Sequence, residues 1–226
     1  MYWLIILFSF PLLGSLVYFF AIYLPNSRIE HGARKAVAAA ARTLDPTREL
    51  REAKAAFDYT PTAQNQMRLA LAQLEAGAAE EAAANYEACL QGPFASDREI
   101  RFCAARAFVE SGRFDTAMTH LEALRKSDAG FRTEQVSILT ARALAGLGRA
   151  ADARAEFEAS AERAPTFVML AEYAIWAYQA GDLTLAGRLQ SELDKTMTHW
   201  NKAARELNRS LLQRLNAARA RAKPAS

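Results

Sequence analysis

Four glycines, Gly77, Gly112, Gly148 and Gly181, recur at spacings of 35, 36 and 33 residues, and each stands between two stretches of helical apolar spacing. Seven residues before each glycine is an alanine (Ala70, Ala105, Ala141, Ala174), and five after it is another (Ala82, Ala117, Ala153, Ala186). No other feature constrains the fold as tightly. A glycine accepts the positive φ that closes one helix and opens the turn to the next. Alanines in fixed register let paired helices approach where a larger side chain would wedge them apart. The chain from about residue 60 to 195 therefore reads as four stacked helix pairs. Their predicted spans are 62–75 with 78–91, 97–110 with 113–126, 132–146 with 149–162, and 166–179 with 182–195.

The fourth residue after the second alanine is large in three units (Tyr86, Leu121, Phe157), while Gln190 departs in the fourth, and Pro165 closes the third unit in register. Small residue, glycine, alanine, large residue and proline in this order resemble the tetratricopeptide repeat over residues 60–195. The resemblance implies an all-α, right-handed α-solenoid whose first helices line a groove that binds protein segments. Aligning the frame places Met67, Leu71, Glu99, Phe102, Arg106, Gln135, Ile138, Arg142, Ala171, Ile175 and Tyr178 in that groove. In repeats of this family that grip a chaperone's C-terminal carboxylate, Lys and Asn stand where this chain has Met67 with Leu71 and Phe102 with Arg106. Chaperone-tail binding is therefore not implied. Arg106 and Arg142 share one register position in consecutive units, about 10 Å apart at the backbone, and are candidates to grip carboxylates of an acidic partner segment. The competing reading pairs Arg106 with Glu110 one turn later and leaves Arg142 solvated.

Ahead of the repeats, residues 1–27 carry no charged side chain, and 14 of the 23 residues from Tyr2 to Leu24 are Leu, Ile, Val or Phe. As a helix that stretch is about 35 Å long, against a hydrocarbon core of about 30 Å. Residues 1–26 are therefore expected to form one transmembrane helix, and they lack the basic start and small-x-small site of a cleaved signal peptide. Arg28, Arg34, Lys35 and Arg42 follow it, which places the repeat domain on the cytoplasmic side of the inner membrane. The run FPLLGSLVYFF resembles the first hydrophobic segment of bacterial cardiolipin synthases and related phospholipase D-type proteins. A charged segment follows here instead of a second membrane helix, and no HxKxxxxD motif occurs, so no activity carries over. A membrane segment followed by divergent repeats also resembles bacterial membrane-anchored repeat proteins.

Residues 27–59 read as a helical connector, with helix-forming runs at Ala36–Ala41 and from Pro46 to Phe57. Residues 196–226 read as a basic C-terminal capping helix and tail. Trp200, Ala204, Leu207, Leu211, Leu215 and Ala218 make one amphipathic helix from about 198 to 220. Charge is segregated: residues 60–194 hold 13 basic and 19 acidic side chains, and residues 195–226 hold 8 and 1. Lys202, Arg205 and Arg209 are candidates for contact with an anionic lipid surface.

The chain is not expected to be an enzyme. His31, His120 and His199 fall in different units without metal-ligand spacing, and no nucleophile elbow, phosphate loop or dinucleotide fingerprint occurs. Cys89 and Cys103 read as reduced packing residues. A net charge of +3 does not suggest nucleic-acid binding, and no cofactor, metal or small-molecule substrate is implied. The expected function is a membrane-anchored scaffold that binds protein through its groove. The alternatives are a periplasmic repeat protein in envelope assembly and a regulatory subunit of a membrane phospholipid-metabolising enzyme.

Overall fold

The computed structural model describes residues 47–222. The expected transmembrane helix at 1–26, the first connector helix and the last four residues lie outside them. Among the described residues no helix is long and apolar enough to cross a membrane. The chain divides between residues 52 and 53, and the unit from residue 53 on carries the repeats. Helix α1 (Arg48–Tyr59) runs across that boundary.

The second unit is all-helical among the described residues. Four helix pairs follow one another: α2 (Ala63–Glu75) with α3 (Ala79–Cys89), α4 (Arg98–Glu110) with α5 (Phe114–Ser127), α6 (Thr133–Gly146) with α7 (Ala150–Arg163), and α8 (Phe167–Gln179) with α9 (Leu183–Met197). Each pair closes at its glycine through one turn. Gly77, Gly112, Gly148 and Gly181 have φ of 84°, 77°, 74° and 78°. In the first turn Ala78 N–H donates to Gln73 C=O at 2.9 Å and Gly77 N–H donates to Leu74 C=O at 3.2 Å, and the same two bonds recur at the other three glycines. These are the two bonds that satisfy the last carbonyls of a helix ending in a left-handed residue.

Three of the four first helices open on a side-chain cap: Thr62, Asp97 and Thr166 accept from the backbone N–H three residues on. Helix α6 departs. Its N-cap residue is Arg132, in the left-handed region at φ 41° and without a side-chain cap. The Arg132 guanidinium lies 4.9 Å from the Phe102 ring centroid and pairs with Glu99 at 2.7 Å, which binds the start of α6 to α4.

All eight register alanines are fully buried. The core forms two clusters, one around α3, α4 and α5 and one around α7, α8 and α9, and α6 contributes to both. Val136, Leu139 and Ala143 face the first, and Ile138, Ala141 and Leu144 face the second.

The segment expected as one capping helix is two, α10 (Lys202–Leu207) and α11 (Arg209–Ala222). At the break, the Asn208 side chain donates to Ala204 C=O at 3.0 Å, competing with the helical pattern. The break shifts the apolar stripe: Leu207 is 85% exposed, whereas Leu215 and Ala218 on α11 are buried against α8.

Candidate protein-binding cleft

A cleft of about 550 Å³ opens where the C-terminal ends of α4, α6 and α8 meet α11. Its floor is Val109, Ala145, Ile175 and Trp176, and its polar rim is Glu110, Arg142, Glu172, Gln179 and Arg214. Two cross-helix ion pairs set the rim. Arg142 on α6 donates from Nη1 to Glu110 Oε1 on α4 at 3.0 Å. Arg214 on α11 forms a two-pronged pair with Glu172 on α8, at 2.7 Å to Oε1 and 2.9 Å to Oε2.

Glu172 is the only charged residue in FVMLAEYAIWAYQ and is 7% exposed. A carboxylate this buried requires a cation, and the flat fork of arginine satisfies both oxygens at once. Burial alone pushes the Glu110 carboxyl up; the bond and charge of Arg142, with the charges of Arg214 and Arg106, outweigh it and hold the group below the usual range. Burial likewise works against the Arg214 cation, and Glu172, with help from Glu110, pushes its pKa up. The rim is thus one electrostatic unit spanning α4, α6, α8 and α11.

A steric detail shapes the floor. Gly146, inside α6, lies against Phe114 at the start of α5, and a Cβ added to it would stand 2.3 Å from the ring. Both residues line the cleft.

The expected groove residues divide. Arg142 and Ile175 line the cleft. Tyr178 lies in an adjoining recess of about 480 Å³ that shares Ile175, Gln179 and Arg214 and adds Arg221. Phe102 and Ile138 are core residues, 8% and 7% exposed, because the neighbouring pairs cover them; Ala171 is fully buried. Met67 is half-buried, Leu71 and Gln135 are exposed, and Glu99 is held by Arg132. The competing pairing of Arg106 with Glu110 is not formed: Glu110 takes Arg142 from the next unit, and Arg142 is not merely solvated. Arg106 is exposed and forms no ion pair among the described residues.

Lys202, Arg205 and Arg209 are exposed, with Arg205 donating to Met197 C=O and Arg209 pairing with Glu206. Arg214, Glu172 and Glu110 escaped the sequence reading as cleft residues. The legible signal was Glu172 itself, a lone carboxylate in an apolar helix. His120 is stacked on Phe108, and no group of three potential metal ligands gathers among the described residues.

No family model matches the chain, and no curated protein matches it. Solved structures similar to it include MamA RS-1, an ArsTM double mutant, with a TM-score of 0.55 and 13% identity over 74% of this chain and 95% of that one. A second is MamA MSR-1 C2, with a TM-score of 0.48 and 18% identity over 60% of this chain and 79% of that one. MamA is a tetratricopeptide-repeat protein, and the first likeness shows the same fold, an all-α solenoid of tetratricopeptide-like helix pairs.

Proposed function

We propose that this chain is a membrane-tethered scaffold that holds another protein in the cleft between α4, α6, α8 and α11. The observation that carries the reading is the cleft itself, an apolar floor ringed by arginines and carboxylates and open to solvent. Its ionisable groups are tied to one another in ion pairs, a rim suited to recognition by charge and shape. The tether rests on the uncharged run from Tyr2 to Leu24, and the basic residues after it favour a cytoplasmic repeat domain.

A photo-crosslinking amino acid at Gln179, on the cleft rim, should trap a second polypeptide in cells, and the same group at exposed Ala151 on α7 should not. Equal trapping from Ala151 would move the binding face elsewhere. For the tether, a C-terminal alkaline phosphatase fusion should be inactive and a cytoplasm-dependent fluorescent fusion bright; the reverse pair of results would place the repeats in the periplasm.

A further inference from the structure

We propose that α11 is a wall of the binding site as well as a cap on the last pair, and that the cleft it completes takes an acidic segment of the partner polypeptide. This rests on the reading of the cleft as a protein-binding site. Three guanidinium groups line the cleft and its adjoining recess, one from the repeats (Arg142 on α6) and two from α11 (Arg214, Arg221), and the charge of a fourth, Arg106 one turn before Glu110 on α4, acts on that carboxylate. They face two carboxylates, and both are already engaged: Glu110 with Arg142, Glu172 with Arg214. Arg106 and Arg221 are exposed and have no ion pair among the described residues. Arg142 uses only Nη1 on Glu110, so its remaining N–H groups are left for a ligand.

The surplus charge has a sign and a place. Glu110 is held in its ionised form by Arg142, Arg214 and Arg106 together, so three of the four guanidinium groups act on one point of the rim. A carboxylate entering there gains charge-assisted hydrogen bonds, whereas a cation meets an uncompensated positive field. The aliphatic part of an acidic side chain, or an apolar residue beside it, can rest on Ile175, Trp176 and Ala145. The repeats alone supply only part of this: without α11 the cleft keeps Arg142, with the charge of Arg106 at Glu110, and loses the wall that carries Arg214 and Arg221.

The test is a fluorescence-anisotropy titration of labelled oligoglutamate, with labelled oligolysine as control, against the full chain in non-ionic detergent at low ionic strength. Oligoglutamate should bind, oligolysine should not, and added salt should weaken the binding. Arg106→Glu should weaken it about tenfold, and Arg221→Glu should weaken it too, with melting temperatures nearly unchanged because both residues are exposed and neither forms an ion pair among the described residues. The double variant Lys202→Glu/Arg209→Glu, on the exposed side of the tail, should bind as the wild type does. Equal loss from that double variant, which a generally basic, lipid-seeking tail would give, overturns the proposal. So does wild-type protein that fails to prefer oligoglutamate. If Gln179 still crosslinks a partner in that case, the protein-binding reading stands and only the acidic chemistry falls.

Discussion

Helices α2 and α8 are built to the same plan and end up in different surroundings. Both have 13 residues, open on a capping threonine and close on a glycine of positive φ. Yet α2 buries only Leu69, Ala70 and Ala72, while α8 buries nine consecutive residues from Met169 to Ala177. The contrast holds at matched positions. Leu71 is 44% exposed and its register equivalent Ile175 is 5% exposed. Local sequence makes each of them a helix, but neighbours decide what the helix buries. Helix α8 packs against its partner α9, against α6 and α7 before it, and against α11 after it; the main contact of α2 is α3. Burial in a stacked array belongs to the interfaces between units more than to any one unit.

The sharpest way to break the comparison is to undo the covering of α8. Leu215→Ala removes a fully buried side chain of α11 and should cost about 2–5 kcal/mol, while Leu71→Ala on α2 should stay within about 0.5 kcal/mol. Chemical denaturation checks both, and equal losses would remove the contrast. Next in size is the alanine frame. Ala141→Leu or Ala153→Leu should overpack the third pair by about 1–3 kcal/mol, with exposed Ala151→Leu near neutral. Indistinguishable melting temperatures for the three would mean that the close approach is not set by these residues.

The smallest effect is a pH dependence at His120 on α5, beside the first core cluster. Burial against Phe108 pushes the His120 pKa down, as does the charge of Arg101, while Glu87 opposes them. The folded state therefore holds this proton less tightly than the unfolded chain. Its contribution to stability is full above the ordinary histidine range, about 6.5, and drains away as pH falls below it. His120→Phe should flatten that part of the melting-temperature profile, and an unchanged slope would show that the acid sensitivity arises elsewhere.

The repeat frame was legible because each of its demands is local. A glycine at a helix end and an alanine at a contact point are required wherever a pair closes, so the eight helix spans are found within about two residues of the expected ones. The cleft was legible only in part. Its ion pairs join residues 32 and 42 positions apart, and no rule about neighbours on one helix reaches that far. The same locality misled the reading of the C-terminus. Leu207 fits the stripe formed by Leu211 and Leu215 in sequence, but Asn208 breaks the helix and turns Leu207 to solvent. Phe102 and Ile138, expected on the groove surface, are covered for a related reason, since how deeply one unit covers the next depends on side chains about thirty residues away.

The contact of Gly146 with Phe114 has a consequence for how this chain can change over generations. With 2.3 Å between an added Cβ and the ring, the two positions are not free to vary independently. Gly146→Ala alone forces the ring from its seat, whereas Phe114→Leu first opens the room that the methyl group needs. Drift at this joint therefore has a preferred order, the ring shrinking before the glycine grows, and a lineage that took the steps in reverse would pass through a form whose Phe114 ring has lost its seat.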